Sequence, residues 1–209
     1  MSEGKRVYRS SLRAEQARRT RAAVLDAAGR CFLADGYAAT TMKDVAAAAG
    51  VSVPTVFAQG GKAALLLACV DRAMVGDDEE APLLARDLFV RLAEAPDKAG
   101  KLAALRDIAA DRGPAVTPML RMFEAAAAAD PEVRAAWVDY ESRRYADSRA
   151  MVQMLAPWLR PDLDVDTAAE TWWAVFGIET PDRLIRERGW TGQQYGEWFA
   201  DAVDRLLLR

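Results

Sequence analysis

Residues 41–59 read TMKDVAAAAGVSVPTVFAQ, and the punctuation of this stretch decides what the chain folds into. Thr41-Met42-Lys43-Asp44 has the form of a capping box, in which the Thr hydroxyl takes a free backbone N–H at a helix start. Gly50 closes that helix, because glycine enters the left-handed conformation that ends a helix without a Cβ penalty. Ser52 is a natural N-cap for a further helix, and Pro54 fits its first turn, where a missing N–H costs nothing. Two short helices joined by a tight Gly50-Val51 turn have the dimensions of a helix-turn-helix. In that motif the first helix braces against the DNA backbone and the second enters the major groove.

Working outward, residues 14–33 carry Val24, Ala28, Cys31 and Phe32 on one helical face and stop before Gly36, which suits a left-handed cap. Residues 63–74 read as a fourth helix, ended by the acidic loop Gly76-Asp77-Asp78-Glu79-Glu80, taken as solvent-exposed with no metal role. Caps ahead of proline or glutamine, Thr117-Pro118, Asp130-Pro131, Thr180-Pro181 and Thr191-Gly192-Gln193-Gln194, mark later starts. They predict helices near 83–95, 97–112, 117–129, 131–156, 165–178, 181–188 and 192–208. No sustained alternating β-branched run argues for a sheet, so the fold class is all-α.

The 209 residues contain no histidine and only two cysteines, Cys31 and Cys69, both inside apolar helical patterns. The missing histidine removes His bases, Ser-His-Asp and Cys-His catalysis and His metal ligands together. The two cysteines lack the close spacing of a ligand or redox motif, so no cofactor and no metal are expected. Carboxylate pairs remain, but 31 acids spread over helical surfaces generate such pairs by chance. No apolar run approaches the roughly 18 residues of a membrane span, and the basic N-terminus (Lys5, Arg6, Arg9, Arg13) does not read as a secretion signal. A soluble, cytoplasmic protein without membrane contact is the expectation.

Charge is unevenly distributed. Residues 1–62 hold ten Lys or Arg against five acids, +5, whereas residues 63–209 hold 18 against 26, −8. The cationic part is the candidate polyanion binder, with a solvated basic tail as the alternative.

Phe32-Leu33-Ala34-Asp35-Gly36-Tyr37, Thr40-Thr41, Val45-Ala46, Ala49-Gly50-Val51-Ser52, Thr55-Val56-Phe57 and Lys62, in that order, resemble the N-terminal signature of the tetracycline-repressor (TetR) family over residues 14–70. Two positions depart from that pattern. Phe57 replaces the usual recognition-helix tyrosine, so no phenolic hydrogen bond to phosphate is available there. The stretch from Phe57 to Lys62 is also one residue short, with Gln59-Gly60-Gly61 where a second aromatic is usual, which predicts a locally loose junction.

The residues suggest roles that agree with the resemblance. Thr40, Thr41 and Lys43 place hydroxyls and an ammonium near the DNA backbone, where they fix position without reading sequence. Ser52, Val53, Pro54 and Thr55 form the leading edge of the reading helix, with Phe57 and Gln59 further along. They offer hydroxyls to bases or phosphates and apolar contacts to thymine methyls. Lys62, at the start of the fourth helix, adds its charge to the helix dipole and favours a phosphate. Arg18, with Arg13, Arg19 and Arg21, reaches phosphates or the minor groove, or else forms a solvated face.

All six tryptophans lie beyond residue 62, and a helical domain rich in large apolar side chains either holds a pocket between its helices or fills a core with them. Candidates for the pocket wall are Phe89, Met119, Met122, Phe123, Trp137, Tyr140, Met151, Trp172, Trp173 and Phe176. Trp172 and Phe176 share a helical face, and Trp173 points about 100° away. The stripe Val133, Trp137, Tyr140, Met151, Leu155 is interrupted by Arg144 and Ser148; Arg144 either anchors a ligand or pairs with a local acid such as Glu141. Tyr195, Trp198, Phe199, Ala202 and Leu206 give the last helix a broad apolar face.

The resemblance implies a three-helix helix-turn-helix domain over residues 1–62 and a larger helical ligand-binding and dimerisation domain over residues 63–209. It also implies a homodimer through C-terminal helices, a double-stranded operator and a small-molecule effector that releases a repressor. Two alternatives stay open: a DNA-binding dimer without a ligand, and a helical enzyme using carboxylates.

Overall fold

The computed structural model describes the backbone of residues 3–75 and 87–209, and side chains for residues 15–74 and 89–209. The acidic loop at 76–80, the start of the helix expected near 83, and the side chains of Lys5, Arg6, Arg9 and Arg13 lie outside the described residues. The chain divides into two compact units, residues 1–71 and 72–209.

In the first unit, α1 (Glu3–Asp35), α2 (Met42–Ala49) and α3 (Val53–Phe57) are followed by α4 (Lys62–Val75), which runs on past the division. The helix expected over 14–33 thus begins eleven residues earlier at Glu3. Val24, Ala27, Ala28 and Phe32 of α1, Val45 of α2, Val56 of α3 and Leu65, Leu66 and Val70 of α4 are almost wholly buried. Every helix of the unit therefore contributes to a common apolar interior, and that shared burial fixes where each short helix sits. Cys69 is buried and its thiol donates to the Leu25 carbonyl at 3.5 Å.

The second unit contains α5 (Asp87–Glu94), α6 (Lys98–Ala129), α7 (Pro131–Leu155), a 3-10 turn (Ala156–Trp158) and α8 (Val165–Val175). The single turn α9 (Glu179–Pro181), a π-helical segment (Asp182–Glu187) and α10 (Gly192–Leu207) complete it. The expected caps at Asp130 and Thr191 hold, Thr191 with Gln194 as a full capping box, and Asp164 caps α8; Thr180 is no cap, its hydroxyl donating to the Val175 carbonyl at 2.6 Å. Two buried ionic groups are matched inside the unit. Lys101 directs its ammonium to the Leu92 and Ala93 carbonyls at 2.7 and 2.9 Å, closing the C-terminal end of α5. Asp182 receives two N–H bonds from Arg186 at 2.7 and 3.0 Å.

A further expectation fails: the helices predicted over 97–112 and 117–129 are a single α6 that passes through Pro114 and Pro118. Thr117 is accordingly no N-cap; its hydroxyl donates back to the Gly113 carbonyl at 2.7 Å, a bond that accommodates a bent helix. Pro114 has no N–H to give the Ala110 carbonyl, and there α10 comes close. A Cβ on Gly192 would lie 2.3 Å from that oxygen, and one on Gly196 2.5 Å from the Arg106 carbonyl. In return Tyr195 occupies the space a side chain on Gly113 would fill.

The α6–α10 pair is therefore a backbone-to-backbone contact that tolerates no side chain at Gly192 or Gly196. Tyr195, Phe199, Val203 and Leu207 line the buried face of α10, joined by Leu105, Ala109, Leu155, Ala169 and Trp172 in one apolar cluster. Gly196→Ala forces α10 away from α6 and costs about 1–3 kcal/mol of stability. A lower denaturation midpoint with unchanged helical content checks this.

Candidate functional site

The turn between α2 and α3 is held from both sides. Thr41 accepts the Asp44 N–H at 3.2 Å while its own N–H and hydroxyl donate to the Asp44 carboxylate at 2.8 and 2.7 Å. Gly50 sits at φ 66° and its N–H turns back to the Ala46 and Ala47 carbonyls. Ser52 caps α3 by accepting the Thr55 N–H, and its hydroxyl also meets the Thr55 hydroxyl at 2.7 Å. With Val56 buried on one side of α3, the opposite side is left outward: Pro54 is exposed and Phe57 is 56% exposed.

α3 is five residues long and ends at Phe57, short of the Gln59 expected from the sequence. The junction that follows is closed by hydrogen bonds from the N–H of Gln59 to Val56 and of Gly60 to Phe57, and Gly60 takes φ 131°. The shortened spacing is therefore absorbed by one glycine in a conformation that a side chain would resist.

The sequence-derived contact residues separate into three groups. Lys43, Ser52, Pro54 and Phe57 are exposed beside the turn, and Val53, Thr55 and Gln59 are half-buried there. Thr41 is exposed but serves the capping box. Thr40 corrects the expectation of a surface hydroxyl: it is 2% exposed and donates to the Gly36 carbonyl at 2.8 Å, fastening the α1–α2 connection. Lys62 points its ammonium at the Ala38 carbonyl, 3.3 Å away, and lies 4.3 Å from the centre of the Tyr37 ring. The sequence reading missed Tyr37 in that role and missed Arg30, which donates to the Ala48 carbonyl at the end of α2. Arg18 is exposed and paired with Glu15, which also holds Arg19 at 2.9 Å.

In the second unit the pocket candidates do not line one wall. Phe123, Trp137 and Tyr140 form an aromatic group between α6 and α7, with ring centroids 5.1 to 5.9 Å apart. Met119 is buried and Met122 half-buried on the same stretch of α6. Trp172 and Phe176 meet edge to face at 5.2 Å, as the shared face requires. They join Phe199 and Trp198 of α10, two rings that were read only as a helix-packing face. Met151 packs against the apolar cluster that includes Trp172 and Phe199, and Phe89 is buried on α5.

Arg144 pairs with a local acid, one of its two alternatives. Its guanidinium makes two bonds to Glu141, at 3.0 and 2.9 Å, and lies 5.2 Å from the Trp173 ring, whose N–H donates to the same carboxylate at 3.2 Å. Ser148 is buried and donates to the Arg144 carbonyl. Both polar interruptions of the α7 stripe are thus satisfied within the chain.

A capped helix-turn-helix with an outward second helix defines a DNA-reading class of protein, and comparison with known proteins agrees. Residues 24–69 match the model of the bacterial regulatory proteins of the tetR family. No curated protein matches the chain in sequence. Among solved structures, NalD of Pseudomonas aeruginosa, the secondary repressor of the MexAB-OprM multidrug efflux pump, is similar with a TM-score of 0.66 and 21% identity, over 92% of this chain and 98% of that one. The Saccharomonospora viridis regulator solved with choline gives 0.66 and 18% over 90% and 97%. SmeT, the repressor of the Stenotrophomonas maltophilia pump SmeDEF, gives 0.65 and 17% over 91% and 92% in its triclosan complex. Residues 24–69 thus carry the tetR-family match, and the whole chain shares the fold of these transcriptional regulators.

The Asp44 carboxyl is held below its ordinary value of 3.8, first by the Thr41 hydroxyl and then by the Thr41 N–H, against a smaller opposing effect of burial. A depressed carboxyl stabilises the fold above its unfolded value, and that contribution is lost as the pH falls through the folded one. Thr41→Ala removes the N-cap at a cost of about 1 kcal/mol and returns the Asp44 titration toward 3.8. Carboxyl NMR shifts followed across acid pH check both the direction and its cause.

Proposed function

We propose that this regulator represses transcription by binding an operator through α3 and leaves it when a small, largely apolar molecule binds the second unit. The observation that supports DNA reading is the outward face of α3, fixed by the Gly50 turn in the part of the chain that carries +5. An anionic duplex is the matching partner for that charge, and Lys43 and Arg18 are exposed to meet phosphates. In this reading residues 1–62 form the DNA-binding domain, and residues 63–209 sense the effector and form a homodimer through C-terminal helices. A two-fold arrangement is what places two reading helices in successive turns of the major groove.

Support for an apolar effector comes from the second unit's own chemistry. Its two aromatic groups are built from rings; Arg143 lies 5.9 Å from the Tyr140 ring, and Arg144, over Trp173, already holds Glu141. The triclosan complex of a similarly folded protein fits the same reading. Release then follows as a population shift, with the effector binding one conformer better and α4 carrying the change.

The test is retardation of a duplex from the upstream region of the chain's own gene at low salt. Binding that weakens steeply with salt is expected, and Lys43→Ala lowers the slope of log affinity against log salt by about 1. Absence of any retarded species refutes the DNA reading. A melting temperature that no apolar compound raises would leave a DNA-binding protein without a ligand, and monomeric sedimentation at micromolar concentration removes the dimer.

A further inference from the structure

We infer that Phe57, together with Pro54, reads the C5-methyl groups of thymine, so that the operator half-site is recognised through apolar contacts; this rests on the DNA reading proposed above. The five residues of α3 are Val, Pro, Thr, Val and Phe. None of them carries the forked donors that select guanine or the amide that selects adenine. The first base-facing amide is Gln59, which is half-buried two residues past the helix end and whose N–H is bonded to Val56.

The hydroxyls at the leading edge are largely engaged. Ser52 Oγ accepts the Thr55 N–H at 3.2 Å and pairs with Thr55 Oγ1 at 2.7 Å. Of the two hydroxyl protons, one is consumed by that pair. One donor cannot make the bidentate contacts that separate the four base pairs.

What remains outward is apolar. Pro54 and Phe57 are three residues apart and share a helical face, opposite the buried Val56. Phe57 leaves 56% of its surface in solvent, a large ring with no packing role to explain it. Of the groups that base pairs present in the major groove, only the thymine methyl is apolar. A phenol at this position would divert the ring toward phosphate; the phenyl has no such partner. It makes the departure at residue 57 a gain of base selectivity in place of a lost backbone contact.

The experiment selects duplexes bound by the full-length chain from a randomised pool, then resynthesises the bound sequence with deoxyuridine for thymine, one site at a time. This removes the methyl and leaves base pairing intact. Expected are thymine-containing half-sites and, at the contacted positions, weakening on the order of tenfold when both half-sites are substituted.

Phe57→Ala should bind the thymine and deoxyuridine duplexes equally, with an unchanged melting temperature because the ring is exposed. Equal affinity of the unaltered chain for both duplexes overturns the inference while leaving DNA binding standing. Discrimination lost on Gln59→Ala but kept on Phe57→Ala overturns it in favour of an amide reader. A pool that yields no retained duplex removes the underlying DNA reading instead.

Discussion

The geometry of the reading helix depends on one backbone conformation, the left-handed Gly50 between α2 and α3. A side chain there would cost roughly 1–2 kcal/mol in the same conformation. The turn reverses the chain so that Val45 and Ala46 on one helix and Val56 on the next face the interior beside α1. Burial then locks what the glycine permits. Because α3 has only five residues, it has too few internal hydrogen bonds to be stable by itself. Its direction is imposed by the Ser52 cap, the Val56 anchor and the bonds that close the Gln59-Gly60 junction. Side chains on the far side of α3 are released from any structural duty, which is the condition for using them in recognition.

The second unit rests on a different device. Its interior is assembled around the close approach of α10 to α6, and that approach needs bare backbone at Gly192 and Gly196. The apolar face of the last helix read from the sequence is consequently divided. Tyr195 and Phe199 are spent on α6, α7 and α8 in the same chain, while Leu206 stays 40% exposed. Any part of α10 offered to a second copy is confined to what the helix leaves outside, and periodicity alone could not tell the two faces apart.

These particulars show where a sequence is legible. The Thr41, Ser52, Asp130 and Thr191 caps are local chemistry, so each was visible as a residue type at a fixed spacing and each is a hydrogen-bonded cap in the fold. Pro114 and Pro118 misled for the complementary reason. A proline inside a helix is normally a stop, and α6 continues through both because packing outweighs the local loss. Thr40 misled likewise: its type is a common phosphate ligand, but its buried hydroxyl is turned inward to the Gly36 carbonyl; the Lys62 partners Ala38 and Tyr37 lie more than twenty residues away, where no spacing announces them. Glu141 and Arg144 were legible as a pair three residues apart, whereas the Trp173 that completes them comes from another helix.

The satisfied state of Arg144 bears on the proposed sensing role. A ligand carboxylate directed at this guanidinium must displace Glu141, which would strand an anion that is largely shielded from water and lose the Trp173 bond with it. Leaving a shielded charge unpaired costs more than the replacement contact returns. A neutral molecule has no such penalty, since inserting among Phe123, Trp137 and Tyr140, or among Trp172, Phe176 and Phe199, exchanges ring contacts for ring contacts. On the proposed sensing role, a complete ion pair would favour apolar occupants by making anionic ones expensive.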